Sequence, residues 1–526
     1  MNDEQRTAAE KAAQELAVTS GTPYLDVRDL SGYPMLDGLL TYEQLLDYRV
    51  APLVYGPETK AIELGLTAAT DRTRLQEITT KLDGHQVTFK TISEPGYLDV
   101  LNSLYLTSFK KELDGDFAAF GPRLAATAPK AAFQLIAQLA YLLRASDIHI
   151  EPQEAAARIR FRIDGTLHPI TDVNTESYKV FLADLQTRAN IKWGSDEPQS
   201  GRISFDLVDA KGAKQSVNMR IETIPSFHGE EIVVRIFGME ATFLKLENRG
   251  FSEQQINTIK EAIHRPSGMI LAVGPTGSGK TSALYSIVNE LNSPERKIIT
   301  LEDPVEYDLP GVTQIPIHSE DKELFAEKLR AVLREDPNII MIGEIRDLDT
   351  AKTALQASLT GHLVLSTFHA SSAATAISRL LDMAGDNALL ASSLKIINAQ
   401  RLLRKVCEYC KQPVELDSVT KTRIQKALSN LPTDIQNALT TATVFQGKGC
   451  PQCNGLGYRD RVPVVEQLVM NDDLEKLLSS TSLVTADQVE EVAIASGMVT
   501  LLQDGLLKVL RGLTTLEEVE HILDFN

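Results

Sequence analysis

The stretch MILAVGPTGSGKT at 269–281 constrains this chain more than any other. Its first five residues are an apolar run with the length and composition of a buried strand. The run ends at Gly274, and Gly274, Gly279, Lys280 and Thr281 then fill the pattern G-x-x-x-x-G-K-[ST]. Leu284, Ile287, Val288 and Leu291 follow on one face of an amphipathic helix. Strand, glycine loop and helix in this order are the context the pattern requires. Convergent backbone N–H groups at a helix N-terminus hold phosphate well, and glycines let that backbone come close. Gly274, Pro275, Thr276, Gly277, Ser278 and Gly279 therefore read as a phosphate cradle. Lys280 would reach the β- and γ-phosphates of ATP, and the Thr281 hydroxyl would ligate Mg²⁺.

From Phe251 onward, strand and helix patterns alternate, which indicates a doubly wound parallel sheet. KIITL at 297–301 is a strand that delivers Glu302 and Asp303 at its carboxyl end. A helix around 321–335 precedes the run NIIMIGE at 338–344, where four apolar residues close on an acid. Gly343 takes the place where many ATPases of this design carry a metal-binding aspartate. HLVLSTFH at 362–369 is a further strand, bounded by His362 and His369. Ligands of open α/β sheets gather at strand carboxyl ends, so Glu302, Glu344 and His369 are expected to converge near the nucleotide.

At 526 residues the chain holds several domains. Residues 1–112 read as a small mixed α/β region suited to docking or regulation, with no catalytic cluster. Residues 113–130, rich in Gly, Ala and Pro, read as a linker. Helical spacing of Phe133, Ile136, Leu139, Ala140 and Leu143 then gives way to five strand patterns, interrupted by a helix at roughly 176–191. This predicts an α+β domain over 131–240, followed by a nucleotide-binding domain over 245–526. Arg158, Arg160 and Arg162 alternate and so share a solvated strand face. Arg220 and Arg235 are candidates for reaching an anion.

The N-terminus has no apolar segment of signal-peptide type, and no run approaches the length needed to span a bilayer. These features predict a cytosolic protein, or one held at a membrane by partners. A net charge of −18 argues against a broad nucleic-acid footprint. The four cysteines form two Cys-x-x-Cys pairs, Cys407/Cys410 and Cys450/Cys453, within a subdomain at about 405–460. Four thiolates so arranged suit a structural tetrahedral Zn²⁺.

These residues resemble the hexameric ATPases that drive type II secretion and type IV pilus assembly, from about Ala132 to the C-terminus. Residues 274–281 look like the family's phosphate loop, TLEDPVEY (300–307) like its acidic box, and LREDPNIIMIGEIRD (333–347) like its atypical Walker B segment. TGHLVLSTFHA (360–370) looks like its histidine box. RASDIHIEP (144–152), RFRIDG (160–165), the cysteine pairs and TLLQDGLLKVLRGLTTLEEV (500–519) match as well. Two departures stand out: FHASSA (368–373) replaces a usual LHTNDA, and QSGR (199–202) replaces QDGR.

The resemblance implies an α/β fold class. It comprises a RecA-like P-loop NTPase core, a preceding α+β (PAS-like) domain, a small mixed N-terminal domain and a four-cysteine zinc-binding subdomain. It implies catalytic roles for Glu344 (activating water), Glu302 (supporting metal or water), Lys280 and His369. His362 and His369 would sense the γ-phosphate and couple subunits, and Arg220 and Arg235 would reach the nucleotide. The implied partners are further copies in a homohexamer, an inner-membrane platform protein and pilus or secretion assembly proteins, at the cytoplasmic face of the inner membrane. The expected activity is ATP hydrolysis by an assembly motor. A retraction motor fits less well, because relatives that retract pili are shorter and lack the cysteine pairs. A nucleic-acid-stimulated translocase fits less well with an acidic chain holding one Trp.

Overall fold

Unbroken apolar runs make strands that are buried on both faces, and such strands pair in parallel only when helices cross over between them. Four runs of this kind, β10 (Gly268–Val273), β11 (Ile298–Glu302), β13 (Ile339–Ile342) and β14 (Leu363–Phe368), are buried at every position. With β12 (Thr313–Pro316), β15 (Leu394–Val406) and β18 (Tyr458–Val469) they form a seven-stranded sheet of order β12-β11-β13-β14-β10-β15-β18. Every pairing is parallel except β15 with β18. Helices Lys280–Leu291, Lys322–Val332 and Leu348–Leu359 lie in the connections. Alternate strand residues feed two separate cores. Met269, Leu271, Val273, Leu301 and Ile342 enter one, while Ile270, Ala272, Ile298 and Met341 enter the other with Leu284, Ile287, Val288 and Leu291. The apolar face expected of the helix after the glycine loop is therefore the face that packs.

This computed structural model describes residues 3–30, 33–36, 38–101, 104, 117, 120–127, 129–192, 194–208, 214–237, 245–317, 322–385, 387–432, 443–479, 484–523 and 525. The chain divides into two compact units, 1–238 with 449–457, and 239–448 with 458–526.

The first unit holds two sheets with separate cores. Strands β1 (Val50–Gly56), β2 (Ala61–Leu66) and β3 (Gln86–Thr91) form a small sheet whose core includes Leu45, Ile62, Leu64 and Val100. Strands β4 (Ala145–Pro152), β5 (Ala156–Ile163), β6 (Thr166–Asn174), β7 (Gln199–Val208), β8 (Lys214–Ser226) and β9 (Gly229–Phe237) form an antiparallel sheet of order β6-β5-β4-β9-β8-β7. Helices Pro129–Leu142 and Thr175–Ala189 supply Phe133, Ile136, Leu139, Phe181 and Leu185 to its core. Strand β6 adds a sixth to the five expected strands, although its Pro169 removes a ladder donor. It is an edge strand, and its register with β5 shifts between Ile159 and Arg160, where Pro169 pairs. The expected linker over 113–130 is also corrected where it is described: Phe117, Phe120 and Leu124 are buried in this second core, and Phe120–Ala125 is helical.

Candidate functional site

Strand β10 ends where the glycine loop begins, and the loop needs its glycines. Gly274 has φ +150°, and a Cβ there would come within 2.6 Å of the Gln400 carbonyl oxygen and of Ser278 Oγ. Gly279, the residue before helix Lys280–Leu291, sits in the left-handed region at φ +89°. Pro275, Thr276 and Gly277 form the exposed crown, and Thr281 is half-buried in the first helical turn. Lys280 is only 8% exposed, and its Nζ donates to the carbonyls of Gly274 (2.8 Å) and Pro275 (2.9 Å) of its own loop. Burial pushes the Lys280 ammonium below its ordinary pKa, Glu344 opposes that shift, and Arg401 adds to it. Among the described residues, Ser278 Oγ is buried without a hydrogen-bond partner. A cation held by its own loop's carbonyls, this hydroxyl and a glycine cradle at a helix N-terminus together fit a phosphate ligand.

The neighbouring strand ends hold Glu344. Ser366 Oγ donates to the Ile342 carbonyl (2.9 Å), and Thr367 Oγ1 donates to that of Gly343 (2.6 Å). The Gly343 amide donates to the Leu301 carbonyl at 2.7 Å, and a Cβ at Gly343 would lie 3.1 Å from that oxygen. A side chain at this position would press on the β11 backbone. Glu344 Oε1 lies 2.7 Å from His369 Nε2, and its Oε2 accepts from Arg346 Nε at 2.6 Å. Arg346 also reaches Asp303 at 3.3 Å. Its hydrogen bond to Glu344 raises the guanidinium pKa further. Arg379 donates to the His369 carbonyl and stands 5.3 Å from the centre of the Phe368 ring. Arg346 was not assigned a role from sequence; the available signal was its place two residues after Glu344 in an extended segment.

Two expected members of this group stand elsewhere. Glu302 is 2% exposed, and both its oxygens are taken by neutral donors: Tyr285 on Oε2, Thr300 (2.5 Å) and Gln314 (3.0 Å) on Oε1. Each such bond to a charged group contributes about 1.5–3 kcal/mol, which offsets the cost of burying the carboxylate. Such a carboxylate is not presented to metal or water, whereas Asp303 beside it reaches Arg346. His362 immediately precedes β14 and His369 follows its last residue, so the two histidines are separated by the strand's length, roughly 20 Å at 3.3 Å per residue. His362 contacts the Ala357 carbonyl (3.1 Å) at the amino end of the sheet, away from this chain's phosphate loop. The altered segment after the histidine strand remains capped: Ser372 accepts from the Thr375 amide at 3.1 Å and opens helix Ala373–Ala384.

In the six-stranded sheet, directly opposed residues place Arg202, Arg220, Arg235, Asp147 and Arg162 in one row across β7, β8, β9, β4 and β5. Buried Asp147 is paired with Arg235 (3.1 Å) and Arg162 (3.6 Å), and Arg220 pairs with Glu222 (2.8 Å). Arg220 and Arg235 therefore stand side by side, and Arg162 belongs to their row. Arg158 is exposed as expected, whereas Arg160 is half-buried against Glu151.

The antiparallel pair β15–β18 explains the cysteines. Val406 pairs with Tyr458, so Cys407 leaves one strand as the chain nears the other after Cys453. The four sulfurs lie within 4.8 Å of one another, with Cys450 and Cys453 3.7 Å apart. Four thiolates about 2.3 Å from a tetrahedral Zn²⁺ would be separated by about 3.8 Å. Cys453 Sγ also accepts from the amides of Cys450 (3.2 Å) and Gly457 (3.3 Å). The donor set fits zinc.

Comparison with known proteins agrees with this geometry. The family described as "Type II/IV secretion system protein" matches residues 127–521. The "Type II secretion system ATPase E" of Vibrio cholerae is 40% identical over 379 residues, covering 72% of each chain. The "Type IV pilus assembly ATPase PilB" of Myxococcus xanthus is 40% identical over 377 residues, covering 72% of this chain and 64% of that one. Among solved structures, the Legionella pneumophila ATPase DotB is similar in fold, with TM-score 0.56 and 20% identity over 74% of this chain and 95% of that chain. No described helix is long and apolar enough to cross a membrane. A family model spanning residues 127–521, with a named ATPase 40% identical over 72% of the chain, identifies the chain as an ATPase belonging to the type II/IV secretion system family.

Proposed function

We propose that the chain is a motor whose ATP hydrolysis drives assembly of a type IV pilus or a type II secretion pseudopilus. It would act as a homohexamer against a platform protein at the cytoplasmic face of the inner membrane. The observation that carries this reading is the Glu344–His369–Arg346 cluster beside the phosphate loop, in a chain that is, over 72% of its length, 40% identical to a type II secretion system ATPase and to a type IV pilus assembly ATPase.

In this reading each residue has a role. Lys280 leaves its two loop carbonyls to bind the β- and γ-phosphates. The Thr281 hydroxyl would hold Mg²⁺, which would supply charge neutralisation for the phosphates. Glu344, oriented by His369 and Arg346, accepts a proton from the attacking water. Arg220 and Arg235 supply guanidinium charge for the transferring phosphoryl group. Glu302 holds its loop in place, and Asp303 is the carboxylate of the acidic box that meets the Glu344 cluster. The cysteines would hold a structural Zn²⁺.

The decisive experiment replaces Lys280 by Ala in the host and follows which surface structure or exported protein is lost. Turnover of the purified chain is measured alongside. Loss of both turnover and assembly supports the motor. ATP turnover that requires DNA or RNA would replace it with a translocase.

A further inference from the structure

A buried polar network joins the phosphate-loop helix to the loop that carries the acidic box. Tyr285, on the second turn of helix Lys280–Leu291 and 1% exposed, donates to Glu302 Oε2. The same phenol oxygen accepts from the amides of Glu306 (3.2 Å) and Tyr307 (3.4 Å). On the other side, Gln314 of β12 donates to Glu302 Oε1 (3.0 Å) and to the Tyr307 carbonyl (2.9 Å). It also accepts from the Leu309 amide at 2.7 Å. Strand β12 pairs with β11 in a register that puts Gln314 beside Thr300, the third donor to Glu302. The loop following β11 is thus gripped from two sides, with one carboxylate as the shared acceptor. No ion pair of Glu302 occurs among the described residues, so neutral donors alone hold its charge.

We propose that Tyr285 and Gln314 are positioning residues for ATP hydrolysis. Through Glu302 they latch the acidic loop to the phosphate-loop helix, and the latch fixes Asp303, which orders Arg346 against Glu344. This rests on the ATPase reading above and adds two residues to it. It also gives Glu302 a different task from metal or water binding. The chemistry favours carboxylate at the centre: an amide would present an N–H₂ group where three donors already point.

The test is a double-mutant cycle in the full chain with Tyr285→Phe, Glu302→Gln and the pair. Turnover, ATP binding and the Mg²⁺ concentration for half-maximal activity are read together. Each single change should lower kcat on the order of 10-fold by misplacing the acidic loop, with KM and half-saturating Mg²⁺ within about two-fold. The double variant should be no worse than the stronger single, because residues acting as one unit are not additive. Amide exchange at Glu306 and Tyr307 should quicken in Tyr285→Phe and remain slow elsewhere in the sheet. Should Tyr285→Phe fold poorly, Gln314→Ala carries the same kcat and exchange expectations at Leu309. Losses that multiply to roughly 100-fold in the double variant would show two independent roles and overturn the latch. So would a Glu302→Gln protein that needs about ten-fold more Mg²⁺, or unchanged kcat in Tyr285→Phe. The exchange arm is read without turnover. An inactive wild type would therefore retire the hydrolysis reading while the latch is still judged on its own.

Discussion

The two large sheets collect their polar groups in different ways. In the seven-stranded sheet the central strands run parallel, so their carboxyl ends lie on one edge, and the phosphate loop, Glu344 and His369 gather there. In the six-stranded sheet neighbouring strands reverse, so no edge accumulates them. Charge collects instead along a row across one face, four arginines and Asp147 long. A parallel sheet concentrates unlike groups at a point, which suits bond-breaking chemistry. An antiparallel sheet repeats like groups along a line, which suits neutralising an extended anion. Under the proposed function, hydrolysis falls to the first sheet and charge stabilisation to the second.

The largest test of the first assignment is Lys280→Ala. Lys280 is the loop's own cation, so its loss should lower ATP turnover on the order of 1,000-fold while the melting temperature stays near wild type. Turnover near normal in a steady-state assay would remove the parallel sheet from the chemistry altogether. Next in size is Glu344→Gln, which keeps the shape of the His369 contact but cannot accept a proton. It should cost on the order of 100-fold in kcat with ATP affinity nearly unchanged, measured by turnover beside a binding titration. A Glu302→Gln loss far exceeding that of Glu344→Gln would reverse the roles given to the two acids.

Those two acids show what the sequence discloses and what it hides. Both close apolar strands and both read as site residues. Glu302, however, is still in strand register opposite Pro316, while Glu344 lies two residues beyond the end of β13. The partners that bury Glu302, Tyr285 and Gln314, come from other elements and leave no local pattern. The phosphate loop, the four buried strands and the Glu344–His369 approach were legible, because each is an apolar run that stops at a polar group. Strand β6 was not, because its proline is compatible only with the edge position the fold gives it. Phe117, Phe120 and Leu124 were lost among glycine, alanine and proline, although they belong to a core. Alternation placed Arg158, Arg160 and Arg162 on one face but could not show that Arg162 shares a row with Arg220 and Arg235, which depends on register between distant strands.

The antiparallel sheet is tested by Arg220→Ala and Arg235→Ala. Arginine charge on a transferring phosphoryl group acts in the transition state, so each change should lower the rate more than it weakens ATP binding. With Arg202 and Arg162 left in the row, each single loss should be on the order of 10-fold, and binding should stay within about two-fold. Equal losses in rate and affinity would mean the row only binds. No change in either would leave it a structural ladder around Asp147 and would break the division of labour between the sheets.

The smallest effect on turnover is expected where the two designs meet, at the antiparallel edge β15–β18 of the parallel sheet. That pair brings Cys407, Cys410, Cys450 and Cys453 together, beyond the end of the ladder at Val406 and Tyr458. The same strand β15 lies beside the phosphate loop, for the Gln400 carbonyl bounds Gly274. The strand could therefore carry damage from the cysteines to the nucleotide. Against this, a continuous run of pairs from Ile396 with Val469 to Arg404 with Arg461 anchors β15 without any metal. Purified protein should hold about one Zn²⁺ per chain, since four thiolates fill one tetrahedral site. Removing it by chelation, or by Cys407→Ser, should lower the melting temperature by roughly 5–10 °C. ATP affinity should stay within about two-fold, because the ladder and not the metal holds Gln400 against the loop. Metal analysis, a thermal melt and an ATP titration on one preparation decide the matter. Reduced, folded protein without zinc would remove the metal from the fold, and a ten-fold fall in ATP affinity on chelation would show that the antiparallel edge governs the phosphate loop after all.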